Sequence, residues 1–179
     1  MPVALIGMPG AGKSSVGRQL ARRLQVSFTD SDLVIEQRLG CSIRSFFERE
    51  GEARFRDVEA DVIASLAADA STGVLATGGG AVLREDNRDV LHRRCRVVYL
   101  HSSPEDVLRR VRHDVSRPLL QVADPRQRLR ELYAIRDPLY RATAHFVVET
   151  GRPSIAMLVN TISMQLDMAD ASPDGIASS

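Results

Sequence analysis

The segment from Gly7 to Ser14 has the sequence GMPGAGKS, which is the spacing of a phosphate-binding loop. Its glycines let the backbone curl so that successive N–H groups point at phosphate oxygens. We expect Lys13 to bridge the β- and γ-phosphates of a nucleotide and Ser14 to place its hydroxyl on Mg²⁺. The residues predicted to bind ATP here are Gly10, Ala11, Gly12, Lys13, Ser14 and Ser15.

Lys13 is the only lysine in the chain, and the other 23 basic residues are all arginine. A compact ammonium group suits a position beside phosphate oxygens, so the placement of this lysine supports phosphate binding. A guanine-binding Asn-Lys-x-Asp motif would need another lysine, which argues against a Ras-type GTPase. The formal net charge of +1 disfavours binding along a nucleic-acid backbone, and we expect no nucleic-acid partner.

Strand-like apolar runs alternate with amphipathic helical patterns along the chain. The strand patterns occupy residues 2–6, 26–29, 73–77, 96–100 and 145–148. This alternation predicts an α/β fold, in which a parallel sheet carries helices on both faces. The last helix is predicted to begin at Pro153, and the Asp137-Pro138 step is expected to disturb the preceding helix locally.

The length of 179 residues suits one domain, which we place at residues 1–168, followed by a disordered tail at 169–179. Cys41 and Cys95 match no metal or redox spacing, and no apolar stretch is long enough to span a membrane. We therefore expect a cytoplasmic protein without a membrane partner. A monomer is predicted because no helical pattern shows a second apolar stripe.

Two acidic residues follow the second predicted strand, in the segment Asp30-Ser31-Asp32. The carboxyl ends of strands in an open α/β sheet face the ligand crevice. One carboxylate there can reach the water shell of a metal ion and the other a substrate hydroxyl. The alternative is that Asp30 or Ser31 simply caps the next helix, and spacing alone does not choose between them.

Four further segments carry residues that suit a small anionic ligand. Arg56 and Glu59 are three positions apart and share a helix face, although spacing alone favours a solvated ion pair. Gly78, Gly79 and Gly80 follow the third strand, where three glycines indicate close approach of a ligand or backbone. Arg117 lies between two helices and could close over a transferring phosphate. Arg136 is a candidate anion ligand near a helix end.

In their order, these motifs resemble the shikimate kinase family. The resemblance extends from about Val3 to Pro153. It includes the phosphate loop, Asp30-Ser31-Asp32, Ile35-Glu36, the Phe-Arg-x-x-Glu of residues 55–59, the triple glycine, the Arg-Pro-Leu-Leu of residues 117–120 and the Arg-x-Pro-Leu-Tyr of residues 136–140. It implies a P-loop kinase fold of three α/β/α layers, with a five-stranded parallel sheet in the order 2-3-1-4-5, a lid and a substrate-binding helical region.

The resemblance also implies an activity and residue roles. The activity is transfer of the γ-phosphate of ATP to the 3-hydroxyl of shikimate in aromatic amino acid biosynthesis, with Mg²⁺ as cofactor. Shikimate binding is implied for Asp32, Arg56, Glu59, Gly78, Gly79, Gly80 and Arg136. Catalytic roles are implied for Lys13, Asp32 and Arg117. ATP contacts are implied for Arg110, Arg117 and Arg152, and support of the metal through water is implied for Asp30.

The sequence leaves two other hypotheses open. The first is another small-molecule kinase of the same fold, acting on gluconate or a nucleotide, which would leave Arg56, Arg136 and the triple glycine unexplained. The second is a non-catalytic nucleotide-binding domain, although none of the expected chemical positions is lost. Turnover with shikimate separates all three.

Overall fold

The computed structural model describes residues 1–111 and 122–172. Its five strands are β1 (Val3–Ile6), β2 (Phe28–Asp30), β3 (Val74–Ala76), β4 (Arg96–His101) and β5 (Phe146–Glu149). All neighbouring strands are parallel, and they lie in the order β2-β3-β1-β4-β5. The predicted sheet and its strand order are therefore confirmed.

Helices connect these strands. In the described ranges they are α1 (Lys13–Leu24), α2 (Ser31–Leu39), α3 (Ile43–Glu50), α4 (Glu52–Ala68), α5 (Glu85–Arg94), α6 (Pro104–Val111), α7 (Pro125–Thr143) and α8 (Ile155–Ala171). A short 3₁₀ turn, Ala81–Leu83, precedes α5. Gly51 separates α3 from α4.

The central strand β1 is buried on both faces and alternates its side chains between two cores. Val3 and Leu5 pack with α1 and α8, whereas Ala4 and Ile6 pack with α4, α5 and α7. This alternation is the period-two geometry of a strand. It produces three layers, with the sheet between two layers of helices.

The register brings the ends of three strands to one edge of the sheet. Leu5 of β1 and Asp30 of β2 both pair with Ala76 of β3. The phosphate loop, the Asp30 segment and the triple glycine therefore leave the sheet side by side. A separate small core, formed by Ile35, Phe55 and Val62, joins α2 and α4 next to this edge.

Two local predictions differ from the structure. The last helix begins at Ile155 rather than at Pro153, because the Ser154 hydroxyl accepts a hydrogen bond from Met157 N and caps it. The same helix continues to Ala171, so the first residues of the predicted tail are helical. Helix α7 continues through the Asp137-Pro138 step, and side chains on both sides are held, Asp137 by the Tyr99 hydroxyl of β4 and Tyr140 on the carbonyl of Gly79.

The outer face of α8 bears on the predicted monomer. Met157, Met164 and Met168 are exposed there at helical spacing, opposite the face that packs on the sheet. This is a second apolar stripe, so the reason given for a monomer does not hold for α8, and the monomer remains a prediction.

Within the described residues, no helix combines the length and the apolar character needed to cross a membrane.

Candidate active site

The phosphate loop connects β1 to α1 and folds around the side chain of Lys13. Gly12 caps the helix with a φ of 92°, a backbone conformation that favours glycine. The buried Lys13 Nζ donates hydrogen bonds to the carbonyl oxygens of Gly7 at 2.7 Å and Met8 at 2.9 Å. The ammonium group is therefore held inside the loop, next to the positive N-terminal end of α1.

A cavity of about 290 Å³ opens above this loop, and we call it the donor cavity. It is lined by Pro9, Gly10, Gly12, Lys13, Ser14, Ser15, Asp30, Asp32, Thr77, Gly78 and Gly79. The predicted loop residue Ala11 is buried beneath it. Thr77 was not predicted from the sequence; its hydroxyl donates to the carbonyl of Leu5 at 3.2 Å and joins β3 to β1 at the cavity floor.

Asp30 performs two tasks with its two carboxylate oxygens. Oδ1 accepts a hydrogen bond from Asp32 N at 2.9 Å and caps α2. Oδ2 accepts a hydrogen bond from the Ser14 hydroxyl at 3.0 Å. The capping interpretation and the metal-side interpretation are therefore compatible, because each uses a different oxygen.

A second cavity of about 420 Å³ adjoins the first, and we call it the acceptor cavity. It is lined by Pro9, Asp32, Ile43, Phe47, Phe55, Arg56, Glu59, Gly78, Gly79, Gly80, Arg128, Leu132 and Arg136. All seven residues that were predicted to bind the acceptor substrate occur in this set. The two cavities share Pro9, Asp32, Gly78 and Gly79, so both reach the carboxylate of Asp32.

The apolar part of the acceptor cavity was missed from the sequence. Ile43 and Phe47 come from α3, Phe55 from α4 and Leu132 from α7. Their residue types are those of an ordinary helix face in a core, so no local pattern distinguishes them. Arg128 was also missed; it lies on the same face of α7 as Arg136, two turns earlier.

Arg56 and Glu59 form a buried ion pair rather than a solvated one. Arg56 Nη1 lies 2.9 Å from Glu59 Oε1, and the Glu59 side chain is 1% exposed. Burial raises the pKa of Glu59, although the charge and hydrogen bond of Arg56 act in the opposite direction. The pair leaves Arg56 oriented into the acceptor cavity, where it lies next to the triple glycine.

The triple glycine is crowded by the side chains of the site. A Cβ atom on Gly80 would overlap the guanidinium of Arg56. On Gly79 it would lie 2.7 Å from Pro9 and 3.2 Å from Arg136 Nη1, and on Gly78 it would lie 2.8 Å from Asp32 Oδ1. Each glycine thus makes room for a different charged or rigid neighbour, and a larger residue in its place would displace that neighbour.

Asp32 lies where the two cavities meet. Burial raises the pKa of its carboxyl to about 6, and the negative charges of Asp30 and Glu59 contribute further. Lys13 acts in the opposite direction and favours the ionised form. A carboxylate with a pKa close to neutrality is suited to accept or orient the proton of a hydroxyl group.

The remaining arginines occupy different places. Arg136 lines the acceptor cavity from α7. Arg110 Nη1 donates to Ala11 O at 3.2 Å and to Ser102 Oγ at 3.1 Å, so it braces the phosphate loop. Arg152 is exposed in the segment between β5 and α8. Arg117 lies outside the described residues.

The parallel sheet, the phosphate loop and the paired cavities define a P-loop phosphotransferase fold. The family described as shikimate kinase matches residues 9–167. The chain is 57% identical over 175 residues to a shikimate kinase of Paracidovorax citrulli, covering 97% of this chain and 96% of that protein. It is 54% identical over 167 residues to a shikimate kinase of Ralstonia nicotianae, covering 93% and 87%.

A solved structure agrees with these matches. The shikimate kinase of Acinetobacter baumannii in complex with shikimate has a TM-score of 0.87 and 44% sequence identity to this chain. The alignment covers 96% of this chain and 95% of that one. The chain therefore belongs to the shikimate kinase family, and it is a kinase.

Proposed function

We propose that the protein transfers the γ-phosphate of ATP to the 3-hydroxyl of shikimate, giving shikimate 3-phosphate and ADP in aromatic amino acid biosynthesis. The observation that carries this proposal is the shared wall of the two cavities. Asp32 reaches a phosphate-binding cavity on one side and an arginine-rich cavity on the other. An acceptor hydroxyl beside Asp32 would face the phosphate loop directly.

The acceptor cavity suits a small anionic polyol. Arg56 and Arg136 approach it from two different helices and can bind a carboxylate together. Asp32 and Glu59 offer acceptors for ring hydroxyls, while Phe47, Phe55 and Leu132 can cover the apolar side of a carbon ring. Shikimate combines these features, namely one carboxylate, three hydroxyls and a six-membered ring.

Each donor-side residue then has a defined task. The loop N–H groups and Lys13 hold the phosphates and stabilise the charge that develops as the γ-phosphoryl group moves. Asp32 orients the acceptor hydroxyl and takes up its proton. Arg110 keeps the loop in place from beneath, and we assign Arg152 to the adenine side and Arg117 to the phosphates by the family resemblance.

Mg²⁺ fits the residues that are present. Ser14 Oγ and Asp30 Oδ2 lie 3.0 Å apart and offer the hard oxygen ligands that this ion prefers. The part of the chain that the structure describes contains no cluster of three or more His, Cys, Asp or Glu side chains able to hold a metal. When the ion is bound, Ser14 would hold it directly and Asp30 would support it through water. When bound, the ion supplies charge neutralisation on the phosphates.

An ADP-release assay across several acceptors tests the proposal. Purified protein with ATP and Mg²⁺ is given shikimate, gluconate or a nucleoside monophosphate, and shikimate 3-phosphate is identified by mass spectrometry. We expect turnover with shikimate alone. Turnover only with gluconate or a nucleotide would assign a different kinase, and nucleotide binding without any product would indicate a binding module.

A further inference from the structure

Tyr140 is a fully buried side chain whose hydroxyl points at the triple glycine. The hydroxyl donates a hydrogen bond of 2.6 Å to the carbonyl oxygen of Gly79, 61 positions away in the chain. Its ring packs against Tyr99, with 4.8 Å between ring centroids. Burying a tyrosine hydroxyl is favourable only when it has a partner, and here the partner is a main-chain atom of the acceptor cavity wall.

This hydrogen bond fixes the orientation of one peptide group. The Gly79 carbonyl belongs to the same planar unit as the Gly80 N–H, and in a trans peptide the two point in opposite directions. With the carbonyl held by Tyr140, the Gly80 N–H is directed to the opposite side of the turn. Successive glycines have little intrinsic preference, so without an anchor this peptide would sample other orientations.

The same side chain also relates the glycine turn to α7. Tyr140 lies four positions after Arg136, so the two residues share one face of the helix. A Cβ on Gly79 would lie 3.2 Å from Arg136 Nη1, which shows how closely the turn and the arginine approach. The Tyr140 hydroxyl therefore joins two of the elements that form the acceptor cavity.

We infer that Tyr140 is a positioning residue for the acceptor substrate. Through its hydroxyl it holds the Gly79–Gly80 peptide in the orientation that presents a backbone N–H to the ligand, and it keeps Arg136 at a set distance from that peptide. Tyr140 is not among the residues that line either cavity, so its effect is exerted through this peptide and Arg136. The inference rests on the proposed function, because it assigns Tyr140 to the binding of shikimate.

The variant Tyr140→Phe tests this role, since it removes one oxygen atom and keeps the ring. We expect the KM for shikimate to rise about tenfold, the loss of one oriented hydrogen-bonding group. The KM for ATP and kcat should change less than about threefold, because most of the donor cavity lining comes from residues 9–15, which Tyr140 does not hold. Hydrogen exchange of the peptide that spans residues 77–83 should become faster than in the wild type.

Tyr99→Phe is the matched control. It also removes a tyrosine hydroxyl from the same core, one that donates to Asp137 Oδ1 at 2.8 Å and does not reach the cavity. We expect a comparable drop in melting temperature for both variants but a normal shikimate KM for Tyr99→Phe.

Three results would overturn the inference. The first is a shikimate KM within twofold of wild type for Tyr140→Phe with a lowered melting temperature, which would make the hydroxyl merely structural. The second is an equal KM rise in both variants, which would place the effect in α7 as a whole. The third, wild-type protein inactive with shikimate, would overturn the proposed function itself and this inference with it.

Discussion

The donor and acceptor cavities are built in different ways although they share a wall. The donor cavity takes most of its lining from one continuous segment, residues 9–15, which follows β1 and enters α1. The acceptor cavity is assembled from α2, α3, α4, α7 and the glycine turn after β3. Under the proposed function, a local motif binds the nucleotide phosphates, whereas elements distant in the sequence form the cavity that selects the acceptor.

The charged side chains of the two cavities are also held in place differently. Lys13 donates hydrogen bonds to two main-chain carbonyls of its own loop, so nearby residues of the sequence help to position it. Arg56 depends on Glu59 and Glu52, and the glycine turn leaves it no spare room. We therefore expect damage on the donor side to reduce kcat, and damage on the acceptor side to raise the KM for shikimate.

The largest effect should come from the shared residue, in the variant Asp32→Asn. Loss of a positioned proton acceptor costs about 100- to 10,000-fold in rate, and we expect turnover to fall to that extent while ATP binding survives. The amide also removes a buried charge, so the melting temperature at neutral pH should not fall and is expected to rise. Kinetics and calorimetry measure the two effects. Near-normal turnover would remove Asp32 from the chemical step.

A loss of about 100- to 1,000-fold in kcat is expected for Lys13→Met, since one preorganised positive group no longer faces the transferred phosphoryl. The KM for shikimate should stay within a fewfold of wild type, because Lys13 lines the donor cavity and not the acceptor cavity. Steady-state kinetics with each substrate varied in turn gives the separation. A normal kcat would contradict the role assigned to the whole loop.

Gly80→Ala should affect the acceptor cavity. The added methyl group would overlap the Arg56 guanidinium and push it away from Glu59. We expect the shikimate KM to rise at least about tenfold, with ATP affinity unchanged, as for loss of a charge-assisted contact. In an Arg56→Ala background the same substitution should add little, because the clash partner is gone. Full additivity would show that the turn, and not Arg56, is disturbed.

This contrast also explains what the sequence could predict. The parallel sheet with its flanking helices and the phosphate loop follow from local patterns, whereas the strand order depended on the family resemblance; the structure confirms both the fold and the order. The roles of Arg56, Glu59 and Arg136 depended on the family resemblance, since spacing alone favours a solvated pair and cannot show that Glu59 is buried. Phe47, Phe55 and Leu132 resemble core residues in type and spacing. Tyr140 was visible as part of a motif, but only tertiary structure shows its hydroxyl on Gly79.

The pH dependence of kcat/KM, where a smaller effect is expected, tests how the charges of the two cavities act on Asp32. Because the pKa of Asp32 is raised to about 6, its carboxylate is ionised at neutral pH and becomes protonated as the pH falls through 6. We expect kcat/KM to decrease below that pH, approaching about tenfold per pH unit. The carboxylates of Asp30, Glu59 and Glu36 and the ammonium of Lys13 act on this group.

Glu59→Gln makes the test specific. Removing a neighbouring negative charge lowers the pKa of Asp32, so the acid limb of the profile should move to lower pH. Ionisation of Asp32 changes the stability of the fold in the opposite direction from ionisation of an ordinary ion-paired carboxylate. A raised pKa means that ionised Asp32 destabilises the fold above pH 6, so the stability advantage of Asp32→Asn should be largest at neutral pH and shrink as the pH falls toward 4. An acid limb that stays in place in Glu59→Gln, or persists in the residual activity of Asp32→Asn, would assign the titration to another group.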